Sequence, residues 1–208
     1  MLKIILFWYK TIAAKAATKV LTPDFGNIEV TEILNGYWLR YKLLKKEIIK
    51  EPTFGGTLMV HLAAMSTAFY QELKQRGIAE VRATKYFYDI AWRVYKIMGK
   101  FSWNIARLKY QSNAKRLKYA TELLSAFPFN SPSYKWQNIP QQDNTVLFNC
   151  TKCPVADYFE KKGLSEFCVN TWCALDFPLA EMWNAKLERT NSIAGGAKLC
   201  DFKWKPIN

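Results

Sequence analysis

The stretch from Cys150 to Trp204 reads CTKCPVADYFEKKGLSEFCVNTWCALDFPLAEMWNAKLERTNSIAGGAKLCDFKW. It decides the fold because helix and strand patterns alternate within it, whereas the chain before it is patterned for helices. At its start, Thr145 to Thr151 (TVLFNCT) has strand composition, and a period of two puts Val146, Phe148 and Cys150 on one face. At its end, Lys186 to Ser192 and Lys198 to Lys205 flank the glycine-rich turn Ile193 to Ala197, which is the punctuation of a hairpin. Alternation there sets Cys200, Phe202 and Trp204 on one face, with Leu199, Asp201 and Lys203 on the other. Between these strands Pro154 opens a helix that Gly163 closes. From Ser165 a further helix is expected to carry Val169, Cys173, Asp176 and Ala180 on one face, at spacings of four, three and four. Pro178 then either kinks this helix or ends it and starts another.

Working back toward the amino terminus, FPFNSPSYKWQNIPQQDN from Phe127 brings three prolines with Asn and Gln and reads as a linker or edge segment. Helical patterns lie before it. A first helix carries Ile4, Trp8, Ile12 and Ala16 at helical spacing; TPDFG from Thr22 is a turn; a second helix has the stripe Ile33, Tyr37, Tyr41, Leu44 and Ile48 and stops at Pro52. After an EPTFGG loop, a third helix from about Leu58 to Arg76 shows Met59, Leu62, Phe69 and Leu73 and ends at Gly77. A fourth is expected from about Ile78 to Lys100, with Val81, Phe87, Ile90 and Val94 facing a core, and a fifth from Ser102 to about Ala126. The expected fold class is α+β: a helical part over residues 1–130, packed as one continuous body with a small antiparallel sheet in the cysteine-bearing part over residues 131–208.

Half of the 208 residues are hydrophobic and 15% aromatic, enough for a packed core and too many for a disordered chain. The formal net charge of +13 suits nucleic acid, an anionic surface or a small anionic molecule. Its bases are spread along helix faces (Arg40 to Lys50, Arg107 to Lys118) without any nucleic-acid motif, so they read as solvated faces and no specific nucleic-acid partner is expected. The apolar run Ile4 to Tyr9 is too short for a signal peptide core or a membrane span, so neither export nor stable membrane insertion is expected. Five cysteines without an export signal point to free thiols and a cytoplasmic setting.

A lone histidine, His61, excludes two-histidine metal motifs and would have to serve in any histidine-dependent triad; beside apolar neighbours it reads as structural. Cys150-x2-Cys153 is a zinc-type ligand pair that Cys168, Cys173 and Cys200 would have to complete. On an unbroken helix, however, Cys168 and Cys173 stand about 140° apart, so zinc stays a minor alternative and no cofactor is expected. Cys173 with Asp176 is a sharper pair, a thiol beside a carboxylate on one face, although a buried thiol beside a carboxylate capping the Pro178 bend accounts for it too. Arg189 either lowers the thiol pKa or binds an anion, or it forms a surface ion pair with Glu188 or Glu181.

CPVADYF, the C-x4-C-x2-D element from Cys168 to Asp176, LERT followed by AGGA, and the final CDFKW together resemble the L-2-amino-thiazoline-4-carboxylic acid hydrolase family. The similarity is dense from about Cys153 to Trp204, looser from about Phe54 to Ile97, and does not reach the first helices. It implies hydrolytic opening of a cyclic amidine, L-2-amino-thiazoline-4-carboxylate, to N-carbamoyl-L-cysteine: water adds at the carbon between sulfur and nitrogen and the sulfur leaves as a thiol. That chemistry needs a nucleophile or base and a proton donor, for which Cys173, Asp176, Cys200 and Asp201 are the candidates. It also needs a cradle for a small anionic substrate, for which Arg189, Thr190, Gly195 and Gly196 are the candidates. The alternative is a non-catalytic module that binds a small ligand or metal in the same pocket.

Overall fold

A computed structural model describes residues 1–140 and 143–207. Gln141 and Gln142 of the expected linker lie outside the described residues. The fold is α+β, as expected, with four main helices before a four-stranded antiparallel sheet. Helix α1 runs Leu2–Leu44, α2 Phe54–Gln75, α3 Glu80–Lys109 and α4 Asn113–Ala126. The sheet comprises β1 (Lys135–Asn138), β2 (Val146–Lys152), β3 (Ala185–Glu188) and β4 (Cys200–Pro206), in the order β1-β2-β4-β3. Between β2 and β3 come α5 (Pro154–Lys161), α6 (Ser165–Cys168), a π-helical turn (Val169–Cys173) and α7 (Asp176–Met182).

The sheet follows the alternation in the sequence. In the β2–β4 register, Cys150 stands opposite Cys200, Phe148 opposite Phe202 and Val146 opposite Trp204, so all six side chains share the inner face. The helices pack on that face. The outer face is charged: Glu188 on β3 meets Lys205 at 2.8 Å and Lys203 at 3.6 Å. One apolar cluster draws buried residues from Ala17 on α1 through to Cys200, and a second joins Trp103, Leu117 and Trp183 to Val146 and Trp204. The helical part and the sheet therefore share their cores.

Several helical expectations are corrected. The segment read as a turn at Thr22 stays helical except at Gly26, whose φ of 72° marks the break between the two halves of α1. Ile4 and Trp8 are 63% and 64% exposed; Ala17 and Leu21, about two and a half and three and a half turns beyond Trp8, are the buried residues. Val81, expected in the core, is exposed because the buried side of α3 at this end is the one that carries Ala83, Tyr86 and Phe87. No helix starts at Ser102. The α3 helix continues to Lys109, Ser102 is buried with its hydroxyl bonded to the carbonyl of Gly99, and Ser112 is the cap residue of α4. A serine within a helix can bond back to its own preceding turn in this way, so composition alone does not distinguish it from a cap.

The glycine pair of EPTFGG is the first turn of α2, not a loop. Thr53 caps it by accepting from the Gly56 N–H at 2.9 Å, and its own amide donates to Ser133. A Cβ on Gly55 would overlap the backbone carbonyl of Pro128, which has no side-chain freedom with which to yield. Gly55→Ala is expected to cost about 1 to 3 kcal/mol of stability. Chemical denaturation checks this, and an unchanged midpoint would contradict the close approach.

Candidate active site

One cavity of about 540 Å³ lies between the inner face of the sheet and the helices, and all five cysteines line it together with Asp176 and Arg189. None of the five is in a disulfide. Each thiol is positioned differently. On β2, Cys150 donates to the carbonyl of Lys152 at 3.1 Å. Cys153 is the N-cap of α5, its sulfur accepting from the Ala156 N–H, and the Cys200 sulfur on β4 accepts from the Ile193 N–H at 3.2 Å. Burial pushes Cys150 up to about 12 and Cys200 to about 11, and raises Cys153 well above its ordinary value. Those three are neutral thiols at physiological pH.

Cys173 goes the other way, through a local device the sequence reading missed. The helix expected from Ser165 passes through a π-turn at Val169–Cys173. Such a turn closes hydrogen bonds from i to i+5, bringing residues five apart nearly into line where an α-helix would separate them. The expected divergence of Cys168 and Cys173 is thereby reduced: both line the cavity, and their ionisations are linked. The neighbouring Cys168 thiol, and with it the positive Arg189, lower the Cys173 pKa against its burial, while Cys173 and burial raise that of Cys168. Of the five thiols Cys173 alone is shifted toward its anion.

Asp176 follows as the first residue of α7. Pro178 sits in the opening turn of this new helix, where a missing amide breaks no helical bond, which resolves the choice between a kink and a restart. Arg189 continues the alternation of β3 one residue past its end, pointing inward where Glu188 points outward. It therefore does not pair with Glu188 or Glu181. Its Nη1 donates to Asp176 Oδ2 at 2.7 Å and its Nη2 to the carbonyl of Cys173 at 2.8 Å, and its side chain is only 7% exposed. The guanidinium lies 5.2 Å from the ring centre of Phe177 and 5.3 Å from that of Phe202. Burial raises the Asp176 pKa, with Arg189 pulling against it. A fifth of the Asp176 side chain stays open, and it lines the cavity.

The remaining candidates lie elsewhere. Asp201, on the outer alternation of β4, accepts from the backbone amides of Thr190 and Asn191 and pins the loop after β3. Thr190, bonded to it, does not line the cavity. Gly195 closes a 3-10 turn, Ile193–Gly195, that Ser192 caps and Gly196 ends; Ala194 is the residue of that turn which reaches the cavity wall. His61 does not line the cavity and bonds through Nδ1 to the Tyr41 hydroxyl at 2.8 Å. A residue overlooked is Tyr95 on α3, whose hydroxyl donates to Asp176 Oδ1 at 3.4 Å. Its spacing of four from Ala91 and three to Met98, both in the cavity wall, was the available signal. Among the described residues no three His, Cys, Asp or Glu side chains are grouped to hold a metal ion. Among them also, no helix is long and apolar enough to cross a membrane.

A model of the L-2-amino-thiazoline-4-carboxylic acid hydrolase family matches residues 58–204, from α2 to the end of the sheet. No curated protein matches the chain. Among solved structures, the chain is similar to an Fe(II) unliganded H-NOX protein from K. algicida at 11% identity and TM-score 0.47, over 95% of this chain and 96% of that one. An H-NOX protein from S. oneidensis in the Fe(II)NO ligation state matches at 13% identity and TM-score 0.41, over 95% and 98%.

The thiol assignment has a direct check. Iodoacetamide is expected to label Cys173 at a pH where the other four cysteines are inert, because the thiolate is the reacting form. Cys168→Ala is expected to move the labelling midpoint of Cys173 to higher pH. A midpoint that stays put, or first labelling at Cys150 or Cys200, would contradict the linkage of Cys168 to Cys173.

Proposed function

Because the chain belongs to the L-2-amino-thiazoline-4-carboxylic acid hydrolase family, we propose that the Cys173–Asp176–Arg189 wall is the active site of a hydrolase that opens a small cyclic amidine, of which L-2-amino-thiazoline-4-carboxylate is the type. The observation that carries this reading is the π-turn that sets Cys173 beside the Asp176–Arg189 pair in the cavity wall, because it distinguishes one thiol of five as the candidate nucleophile.

The chemistry follows from the charges. A protonated cyclic amidine offers N–H donors to Asp176, which orients the carbon between sulfur and nitrogen toward Cys173. The thiolate adds to that carbon, and the ring carbon–sulfur bond breaks as the adduct collapses. Asp176, whose burial keeps its carboxyl more basic than an ordinary one, takes a proton from an amidine nitrogen of the adduct and passes it to the departing sulfur. The former ring carbon is then held on Cys173 as a neutral S-alkyl isothiourea. Water adds to it with Asp176 moving the water's proton to nitrogen, the Cys173 thiolate leaves, and the protonated urea of N-carbamoyl-L-cysteine gives up its remaining proton to solvent. One water is consumed and both groups return to their starting states. Arg189 stabilises the thiolate in each half. No cofactor enters this sequence.

Turnover of L-2-amino-thiazoline-4-carboxylate by the purified protein tests the reading. Cys173→Ala is expected to lose at least about a thousandfold in kcat/KM, and Asp176→Asn about a hundredfold to ten-thousandfold. The wild-type rate is expected to rise with pH through the Cys173 ionisation, and Cys168→Ala to shift that limb upward. Full activity in Cys173→Ala would remove the nucleophile. Retained binding without turnover would leave a ligand-binding module.

A further inference from the structure

The cavity is larger and more apolar than a compact zwitterion needs. Its two charged side chains, Asp176 and Arg189, sit at one wall, formed by the π-turn, the start of α7 and the end of β3. Away from that wall the lining is mostly carbon, with Leu62 of α2, Ala91, Val94 and Met98 of α3, and Leu124 of α4, broken by the hydroxyls of Thr121 and Ser125 on α4 and of Tyr134. At about 540 Å³ it falls in the range of sites that enclose a drug-sized molecule. Four apolar lining residues also reach the surface: Ile12 at 38% exposure, Ile97 at 52%, Phe101 at 68% and Phe127 at 48%. They come from α1, α3 and the segment after α4, so the cavity has an apolar rim as well as an apolar interior.

A molecule that fills only the polar wall leaves this carbon lining facing water. Each methylene transferred from water onto such a lining is worth about 0.8 kcal/mol, or about fourfold in affinity. The head group is constrained too, because Arg189 commits its donors to the Asp176 carboxylate and the Cys173 carbonyl, which leaves the carboxylate and the Cys173 sulfur in the cavity wall as acceptors. We propose that the preferred ligand is an amidine with a cationic head at Cys173 and Asp176 and an alkyl or aryl substituent that occupies the chamber between α2, α3 and α4. This names the substrate class of the same site and rests on the hydrolase reading only for the identity of the head group.

The test uses the full chain and a series of 2-amino-thiazolines whose ring carbon 4 carries carboxylate, ethyl, butyl, hexyl or phenyl. Affinity is read by calorimetry and ring opening by release of the free thiol. The dissociation constant is expected to fall about fourfold per added methylene until the chamber is full, with hexyl and phenyl tighter than the carboxylate. Met98→Trp and, separately, Ala91→Leu narrow the chamber and are expected to flatten this dependence, with far-ultraviolet circular dichroism verifying the fold of each. Affinity that is level or declines with chain length in the wild type overturns the proposal. Affinity that climbs without ring opening in any member upholds it and removes the hydrolase. Ring opening of the carboxylate with level affinities removes it and leaves the hydrolase standing.

Discussion

The inward burial of Arg189 organises the carboxy-terminal half of the molecule. Strand alternation turns it away from the charged outer face, and a buried guanidinium requires acceptors. It finds two on the segment that lies across from it, the Cys173 carbonyl at the end of the π-turn and the Asp176 carboxylate at the start of α7. Phe177 and Phe202 flank it from the helix and from the sheet. One side chain thus ties β3, the π-turn, α7 and β4 to a common point. Removing either member of such a buried pair leaves an uncompensated charge, which costs far more than the intact pair contributes.

From that tie comes the inequality among the cysteines. Five thiols line one cavity, but four are shifted away from their anions and one is drawn toward it. The distinction is made by geometry on the scale of a single helical turn. An α-helical path from Ser165 would carry Cys168 away from Cys173 and remove the largest influence on its acidity. The π-turn is accordingly a functional element, in keeping with where such turns commonly occur.

The sheet was legible in the sequence because its signal is local. Val146, Phe148 and Cys150, and Cys200, Phe202 and Trp204, declare their face by alternation, and Gly77 and Gly163 mark helix ends through the positive φ they adopt. The stripe of α2 likewise predicted its buried side. What was not legible depends on contacts between distant segments. The exposure of Val81, the continuation of α3 through Ser102 and the close approach of Pro128 to Gly55 are set by tertiary neighbours. The site was half legible: Cys173 and Asp176 emerged as a pair, while the inward turn of Arg189, the return of Cys168 and the reach of Tyr95 did not. Periodicity assumes one pitch throughout, and the π-turn changes the pitch at the decisive place.

The facing of Cys150 by Cys200 has a consequence for how the gene can change. Side chains on a strand swap faces with every one-residue slip of register. Adding or deleting a single residue inside β4, directly after Cys200, would carry Phe202 and Trp204 to the outer face and drive Lys203 toward the cavity. It would also displace the carboxylate that pins the Thr190 loop. Many substitutions in β4 alter one contact; a one-codon insertion or deletion alters every contact on both faces. The length of this segment is therefore held more tightly than the identity of most residues within it.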